Sequence, residues 1–218
     1  MDFMRQLDIL NPDKYLRFPL NVVGVGGIGS PLGFLVGKMG FDMVTAWDFD
    51  QLEDHNLPNT IYPLGDLGLL KVRSLGKLLK AFSGIKLIEK NERVTADTKF
   101  SGMVVSGVDS MAARREIWKA IKYKANVPLY IDGRMAAETF RVLTVRPTNK
   151  DDVSFYEETL ELRDEDLPPP VCTAKAIIYN VFVISGIIGA QIKKFATGEE
   201  FPKEILFDLA TYEPVVNW

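Results

Sequence analysis

Short apolar runs alternate with amphipathic stretches along most of the chain, a pattern typical of strands alternating with helices. The first run is Leu20–Val25, and glycines separate it from apolar residues at helical spacing between Ile28 and Met39. The same pattern predicts later strands and helices in turn. The strands are predicted at Met43–Trp47, Lys86–Glu89, Met103–Val105 and Leu129–Asp132, and the helices at Asp66–Phe82 and Ser110–Lys124.

This βαβα order predicts an α/β fold. We expect a Rossmann-like, doubly wound, mostly parallel sheet with helices on both faces and a ligand crevice at the carboxyl ends of the strands. Phe140–Val145 alternates apolar and polar residues and predicts an antiparallel extension of the sheet toward the C-terminus.

The last third of the chain changes character. Lys150–Pro170 is acidic and ends in three prolines, so residues 151–170 are predicted to form an exposed, flexible crossover or flap. Ala176–Ile192 is apolar on nearly every side and predicts a buried helix. The tail Phe201–Trp218 has enough apolar residues to dock on the domain or on a partner. No linker separates two cores, which predicts a single domain over residues 1–218.

Charge and composition exclude several classes of protein. The chain has 26 Lys and Arg against 29 Asp and Glu, so no general nucleic-acid-binding surface is expected. One cysteine, Cys172, and one histidine, His55, cannot build a structural zinc site. Ala176–Ile192 is shorter than the roughly 20 apolar residues that a bilayer requires. That segment is therefore not expected to span a membrane. Charged residues interrupt the first twenty positions of the chain, so we expect no export signal and a cytoplasmic location.

A glycine-rich segment follows the first predicted strand. Gly24, Gly26, Gly27 and Gly29 fall within six residues, directly before a predicted helix. Glycines at this junction allow a tight turn, and the free N–H groups at the start of the helix attract phosphate oxygens. The segment therefore predicts a nucleotide site, although a glycine turn that serves only helix–strand packing is the alternative.

Asp48 and Asp50 follow the second predicted strand. A carboxylate at this place can accept hydrogen bonds from the ribose hydroxyls of a bound nucleotide, whether NAD or ATP. For either aspartate alone, a solvated loop carboxylate is the alternative interpretation.

Further along the chain come Asn56-Leu57, then Gly68-Leu69-Leu70-Lys71, then Val108-Asp109-Ser110 with Arg114 and Arg115 in the next helix. In this order the motifs resemble those of the ThiF/MoeB-type adenylyltransferases, which are related to ubiquitin-activating enzymes. The resemblance implies a domain that binds ATP and Mg²⁺. It also implies transfer of AMP to the C-terminal carboxylate of a ubiquitin-like or ThiS-like small protein or peptide, with release of pyrophosphate.

The resemblance also implies roles for individual residues. Gly27 would face the nucleotide, and Asp48 would bind the ribose. Asn56 and Lys71 would contact the phosphates, and Asp109 would bind the magnesium ion. A lysine and a metal suit this chemistry, because an anionic carboxylate must attack an anionic phosphate. Taken singly, Lys71 could be a solvated lysine of an amphipathic helix, and Asp109-Ser110 could be a helix N-cap.

Three further positions bear on the reaction. Arg5 resembles an arginine that relatives extend into the partner subunit's nucleotide site, which predicts a homodimer; a free terminal cation is the alternative. Asn59 stands where many relatives have a phosphate-binding arginine. Cys172 resembles an acceptor cysteine that forms a thioester or persulfide, although a buried structural cysteine explains it equally well.

Two other functions remain open at this point. An NAD-dependent oxidoreductase would use the glycine turn and Asp48, but it would give Lys71 and Asp109 no role. A catalytically silent member that serves as a scaffold is favoured by Asn59.

Overall fold

The computed structural model describes residues 1–161 and 177–218, and in these residues eight strands form one sheet in the order β3-β2-β1-β4-β5-β6-β7-β8. β1 to β5 are parallel, and β6, β7 and β8 pair antiparallel with their neighbours. The predicted mostly parallel sheet with an antiparallel C-terminal extension is confirmed. The strands are β1 (Leu20–Val23), β2 (Val44–Trp47), β3 (Ile88–Lys90), β4 (Met103–Ser106), β5 (Tyr130–Ala136), β6 (Thr139–Val145), β7 (Glu204–Asp208) and β8 (Glu213–Asn217).

Helices cover both faces of the sheet, as predicted. One apolar cluster contains Leu32, Leu75 and Ile188 from three helices, and a separate cluster on the opposite face contains Trp118 and Tyr156 from two others. The helices are α1 (Pro12–Tyr15), α2 (Gly29–Met39), α3 (Lys71–Ser83), α4 (Met111–Ile121), α5 (Lys150–Glu158) and α6 (Ile178–Thr197). α2, α3 and α6 contribute to the first cluster, and α4 and α5 to the second.

Two predicted boundaries differ near the carboxyl ends of the strands. β1 ends at Val23, because Gly24 adopts a φ of 78° and turns the chain. Helix α3 begins at Lys71 and not at Asp66. Gly68 has a φ of 81°, and Leu70 forms an isolated antiparallel bridge with Gln51. This pairing prevents the helix from beginning before Lys71. It also places the first turn of α3 next to the loop that follows β2.

The prediction of an exposed flap is wrong for residues 150–158, which form α5. The Asn149 side chain accepts hydrogen bonds from the N–H groups of Asp151 and Asp152, and Val153 and Tyr156 are buried. Acidic residues in a first helical turn stabilise the helix, so the acidic composition that indicated a loop marks a helix start. Residues 162–170 of the predicted flap lie outside the described residues.

The C-terminal elements follow the predicted order. α6 confirms a helix over most of the predicted range, but only one side of it is buried. Ile184, Ile188 and Ile192 are fully buried, whereas Phe182 is 52% exposed. None of the helices in the described ranges is both long and apolar enough to span a bilayer. The tail docks on the domain by forming β7 and β8, which extend the sheet, and every residue of β8 is exposed.

Candidate functional site

A cleft of about 420 Å³ lies at the carboxyl ends of β1 to β4. Its walls are residues 23–24, 26–27, 47–50, 92–94 and 107–110, each segment lying at the end of a strand or just after it, with Asn56, Lys71, Ala113 and Ile117. Open α/β sheets bind ligands at this edge. The cleft therefore lies where the sequence predicts a site.

The structure brings most of the predicted site residues together in this cleft. The predicted residues that line it are Gly24, Gly26, Gly27, Asp48, Asn56, Lys71 and Asp109. Gly29 and Arg5 are not among the lining residues. Cys172 lies outside the described residues.

The structure requires glycine at some positions of the turn for backbone reasons and leaves space for a side chain at another. Gly24 has a positive φ, and a Cβ on Gly29 would stand 1.9 Å from the carbonyl oxygen of Gly24. These two positions are required by the backbone itself. A Cβ on Gly26 would meet no atom within 4 Å, and Gly26 does not have a positive φ. Packing alone therefore does not explain Gly26, whereas close approach of a ligand to the backbone does.

Asp48 connects the end of β2 to the glycine turn. Its Oδ2 accepts a hydrogen bond from the Val25 N–H at 2.8 Å, and its Oδ1 accepts one from the Asp50 N–H at 2.9 Å. The residue is only 8% exposed, which rules out the solvated-loop interpretation. Burial raises the pKa of Asp48 above its ordinary value, against the lowering effect of the two N–H groups and of Lys71. Each oxygen retains a lone pair for a further donor such as a ribose hydroxyl.

Lys71 is also buried, at 8% exposed, and it is the first residue of α3. Its backbone N–H donates to the Asp50 carbonyl at 2.9 Å, and its Nζ donates to Asp50 Oδ2 at 2.8 Å. The solvated-lysine interpretation is therefore wrong. The ammonium group is fixed at the cleft by a carboxylate whose side chain is 48% exposed.

Asn56 and Asn59 belong to a 3₁₀ helix over Asp54–Asn59. The Asn56 side chain accepts a hydrogen bond from the Glu53 N–H at 3.0 Å, in a capping box that fixes its orientation beside the cleft. The carbonyl oxygen of Asn59 lies 3.4 Å from the position of a Cβ on Gly27. Among the described lining residues the cationic side chains are Lys71 and Arg93.

Asp109 is exposed and lines the cleft, whereas its neighbour Ser110 is the N-cap of α4 and accepts a hydrogen bond from the Ala113 N–H. The N-cap alternative therefore applies to Ser110 alone. Among the described residues, no group of three or more His, Cys, Asp or Glu side chains could hold a metal ion. Nucleotide-bound Mg²⁺ needs only one or two carboxylates, because phosphates and waters complete its coordination. Asp109 fits that requirement.

A buried ion-pair network supports the loop that carries Asp109. Asp132 is fully buried, and its oxygens accept hydrogen bonds from the Nε atoms of Arg114 at 3.1 Å and Arg134 at 2.7 Å. Burial alone would raise the pKa of Asp132, but the two guanidiniums hold it below its ordinary value. Arg114 also donates to the carbonyl of Val108 at 2.5 Å. The network thus fixes the backbone directly before Asp109.

The N-terminal segment lies far from the cleft of its own chain. Arg5 belongs to a 3₁₀ turn over Met4–Gln6, and the Gln6 side chain donates to the carbonyl of Met39 at 2.8 Å. Met39 ends α2, whereas the glycine turn precedes that helix. An α-helix of this length spans about 16 Å. Within one chain, Arg5 therefore lies at the opposite end of α2 from the glycine turn.

Sequence reasoning missed the contribution of the loop after β3. Glu92, Arg93 and Val94 line the cleft, and the guanidinium carbon of Arg93 lies 4.0 Å from the ring centroid of Phe49. The available signal was topological, because β3 is parallel to β2 and its carboxyl end must meet the same edge of the sheet.

Comparisons with known proteins agree on the kind of fold. The model of the ThiF family matches residues 9–214. Selenomethionine PaaA has 16% sequence identity and a TM-score of 0.74, over 94% of this chain and 65% of that chain. E. coli MccB with ATP has 16% identity and a TM-score of 0.74, over 94% and 64%. E. coli MccB with AMPCPP and MccA has 16% identity and a TM-score of 0.72, again over 94% and 64%.

These coverages mean that the chain spans 64–65% of the length of the structures it resembles. At this level of identity the likeness shows the fold. A search of curated proteins returned no match to the sequence.

Proposed function

This chain belongs to the ThiF family, and from that membership we propose that it is an ATP-dependent adenylyltransferase that activates a carboxylate. The observation that carries the proposal is the convergence of Lys71 and Asp109 on the cleft that contains the glycine turn and Asp48. An NAD-dependent oxidoreductase would use the glycine turn and the ribose-binding carboxylate, but it would leave Lys71 and Asp109 without a role. Two MccB structures, one with ATP and one with AMPCPP, also favour ATP as the nucleotide.

In the proposed reaction, an oxygen of the acceptor carboxylate attacks the α-phosphorus of ATP. A new oxygen–phosphorus bond forms, the bond from the α-phosphorus to the oxygen that bridges it to the β-phosphorus breaks, and pyrophosphate leaves. A carboxylate with an ordinary pKa near 4 is already ionised at pH 7, so the step needs no general base. This agrees with a cleft whose described lining contains no histidine.

The residues of the cleft then have distinct tasks. The backbone at Gly26 and Gly27 receives the phosphates, Asp48 accepts hydrogen bonds from the ribose, and Asn56 contacts a phosphate beside the glycine turn. Lys71 neutralises charge on the phosphate oxygens. Asp109 would hold Mg²⁺, which when bound supplies charge neutralisation for the departing pyrophosphate. The proposed cofactors are therefore ATP and Mg²⁺.

We propose a ubiquitin-like or ThiS-like small protein, or a peptide, as the acceptor. The family resemblance supports a C-terminal carboxylate as the group that is activated. MccB has been crystallised with MccA, which supports a second chain as the acceptor.

Calorimetric titration tests the nucleotide. We expect the wild-type protein to bind ATP in the presence of Mg²⁺ and not to bind NAD. Lys71→Ala should weaken ATP binding strongly, because it removes a buried ammonium group from the cleft. Lys119→Ala is the matched control, since Lys119 pairs with Glu116 on the surface of α4 and does not line the cleft. Binding of NAD in preference to ATP would refute the proposal.

Exchange of labelled pyrophosphate into ATP tests the chemistry. A candidate acceptor with a free C-terminus should support exchange, and the same acceptor with an amidated C-terminus should not, because it offers no carboxylate. ATP binding without exchange, across acceptors that bind the protein, would favour a catalytically silent scaffold.

Cys172 and Arg5 extend the proposal beyond adenylation. We propose that the Cys172 thiolate attacks the acyl carbon of the adenylate, so that a thioester forms, the bond from that carbon to AMP breaks, and AMP leaves. In the alternative, Cys172 takes sulfane sulfur from the persulfide of a separate sulfur donor, and the donor leaves as a thiol. Cys172→Ala should then retain pyrophosphate exchange and lose any covalent adduct that dithiothreitol releases. Detection of that adduct on the alanine variant by intact-mass spectrometry would refute the assignment. We further propose that Arg5 acts across a homodimer, since it lies far from the cleft of its own chain.

A further inference from the structure

We propose that the guanidinium of Arg93, backed by the ring of Phe49, is the surface on which the nucleotide base stacks. This inference rests on the proposed ATP-binding function and assigns a base-binding role to two residues of the loops after β2 and β3.

The cleft crosses from one face of the sheet to the other. Lys71 begins α3, whose Leu75 and Leu79 belong to the cluster on one face. Val94 and Ile117, which also line the cleft, belong to the cluster on the opposite face. Lys71 thus lies at the end of the cleft beside α3, and Val94 and Ile117 form an apolar end beside α4.

Asp48 fixes the direction in which a nucleotide would lie. It stands at the carboxyl end of β2 and is hydrogen-bonded to the glycine turn through Val25. With the ribose at Asp48 and the phosphates at the glycine turn and Lys71, the base must extend toward the apolar end of the cleft. Phe49 directly follows Asp48, and Arg93 lies in the neighbouring loop after β3.

Arg93 and Phe49 are in contact at the cleft. The guanidinium carbon lies 4.0 Å from the ring centroid, and both side chains line the cleft. Phe49 is 45% exposed, although it is a large apolar residue. Guanidinium planes and aromatic rings are the groups on which proteins stack nucleic-acid bases. In the proposed arrangement the Phe49 ring supports the guanidinium group, and the base stacks on that group from the cleft.

Comparing a nucleotide with a ligand that lacks the base tests this assignment. The affinities of ATP and of tripolyphosphate, both with Mg²⁺, are measured for the wild-type protein, Arg93→Ala, Arg93→Lys, Phe49→Ala and the control Lys119→Ala. Stacking of one base on such a surface corresponds to about 5- to 150-fold in affinity. We expect Arg93→Ala to weaken ATP binding by a factor in this range and to leave tripolyphosphate binding unchanged within twofold.

The conservative variant separates stacking from charge. Lysine keeps the positive charge but has no planar group, so Arg93→Lys should resemble Arg93→Ala in its affinity for ATP. Phe49→Ala should weaken ATP binding in the same direction, because the guanidinium loses its support. All the variants should keep the wild-type melting temperature, since both side chains are exposed.

Two results would overturn the assignment. Equal weakening of ATP and tripolyphosphate by Arg93→Ala, with recovery in Arg93→Lys, would place Arg93 on the phosphates. Unchanged affinity for both ligands would make the pair a surface contact only. Failure of the wild-type protein to bind ATP would instead refute the proposed function, so the two failures are distinguishable.

Discussion

The carboxylate of Asp48 accepts a 2.8 Å hydrogen bond from the backbone N–H of Val25, in the middle of the glycine turn. This bond joins the loops after β1 and β2, which come from neighbouring parallel strands. Tyr62 supports the same turn, because its hydroxyl donates to the Val25 carbonyl at 2.6 Å. Burial, with the nearby Asp48 charge, raises the pKa of Tyr62 well above its ordinary value, so it remains a neutral donor. The proposed ribose and phosphate positions are therefore built as one unit.

The raised pKa of Asp48 predicts a pH dependence of ATP binding. Because the pKa of Asp48 is higher in the folded protein than in the unfolded chain, the folded state binds this proton more tightly. The free energy of unfolding should therefore fall as the pH rises above the ordinary pKa of 3.8 and Asp48 ionises. A ribose hydroxyl donates a stronger hydrogen bond to the ionised carboxylate than to the neutral acid, so ATP affinity should increase over that same acidic range. The ratio of wild-type to Asp48→Asn affinity cancels the titration of ATP itself. This ratio should rise with pH on the acid side of neutrality, and a constant ratio would contradict the role of Asp48.

Two glycine substitutions should separate ligand approach from backbone packing. Gly26→Ala places a Cβ where no protein atom lies within 4 Å, so its melting temperature should stay near the wild-type value. The methyl group would occupy space in the cleft, and ATP affinity should fall at least tenfold. Gly29→Ala places a Cβ 1.9 Å from the Gly24 carbonyl, and should cost about 3 kcal/mol or more of unfolding free energy. Normal ATP affinity in Gly26→Ala would indicate that the phosphates do not approach this backbone.

Most of the fold can be predicted from the chain because its strands are short, apolar and separated by amphipathic helices. The convergence of Asp48, Lys71 and Asp109 also follows from the pattern, since each lies at or soon after the end of a parallel strand or at a helix start. The burial of Lys71 could not be predicted from helical periodicity. Lys71 is held at the cleft by hydrogen bonds to Asp50 and by the bridge between Leu70 and Gln51, contacts with a segment about 20 residues earlier that helical periodicity does not reveal.

Two other features were missed for different physical reasons. The acidic composition of residues 150–158 indicated exposure, but a capping Asn149 and two buried side chains, Val153 and Tyr156, make that segment a packed helix. Arg93 lies in a polar loop whose composition is ordinary, and only the sheet order places it beside Phe49. Tertiary neighbours decide both cases.

The buried network around Asp132 should be sensitive to loss of one partner. Arg114→Met removes one guanidinium and leaves Asp132 paired with Arg134 alone in a fully buried place. Asp132 keeps hydrogen bonds from Arg134, Ser106 and Tyr156, so the loss of the charged hydrogen bond from Arg114 should cost about 1.5–3 kcal/mol of unfolding free energy. Lys119→Ala breaks an exposed pair with Glu116 and should cost less than about 1 kcal/mol. Urea denaturation measures both, and equal effects would show that the network contributes little.

Asp109→Ala should abolish pyrophosphate exchange and leave the fold intact. The side chain is exposed at the cleft, so its removal should change the unfolding free energy by no more than about 0.5 kcal/mol. Loss of the carboxylate removes the proposed magnesium ligand, and raising the Mg²⁺ concentration should restore part of the ATP affinity. Urea denaturation and calorimetry check the two statements separately. Unchanged exchange would remove Asp109 from the site.

Mixing two inactive variants tests whether Arg5 acts across a dimer. In a mixed dimer of Arg5→Ala and Asp109→Ala chains, the site that keeps Asp109 would receive Arg5 from the other chain. The second site of that dimer would lack Asp109 and stay inactive. With random pairing, half of the dimers are mixed and half of their sites work, so exchange should recover to about a quarter of the wild-type rate. If Arg5 acted within its own chain, or not at all, mixing would give only the average of the two separate variants.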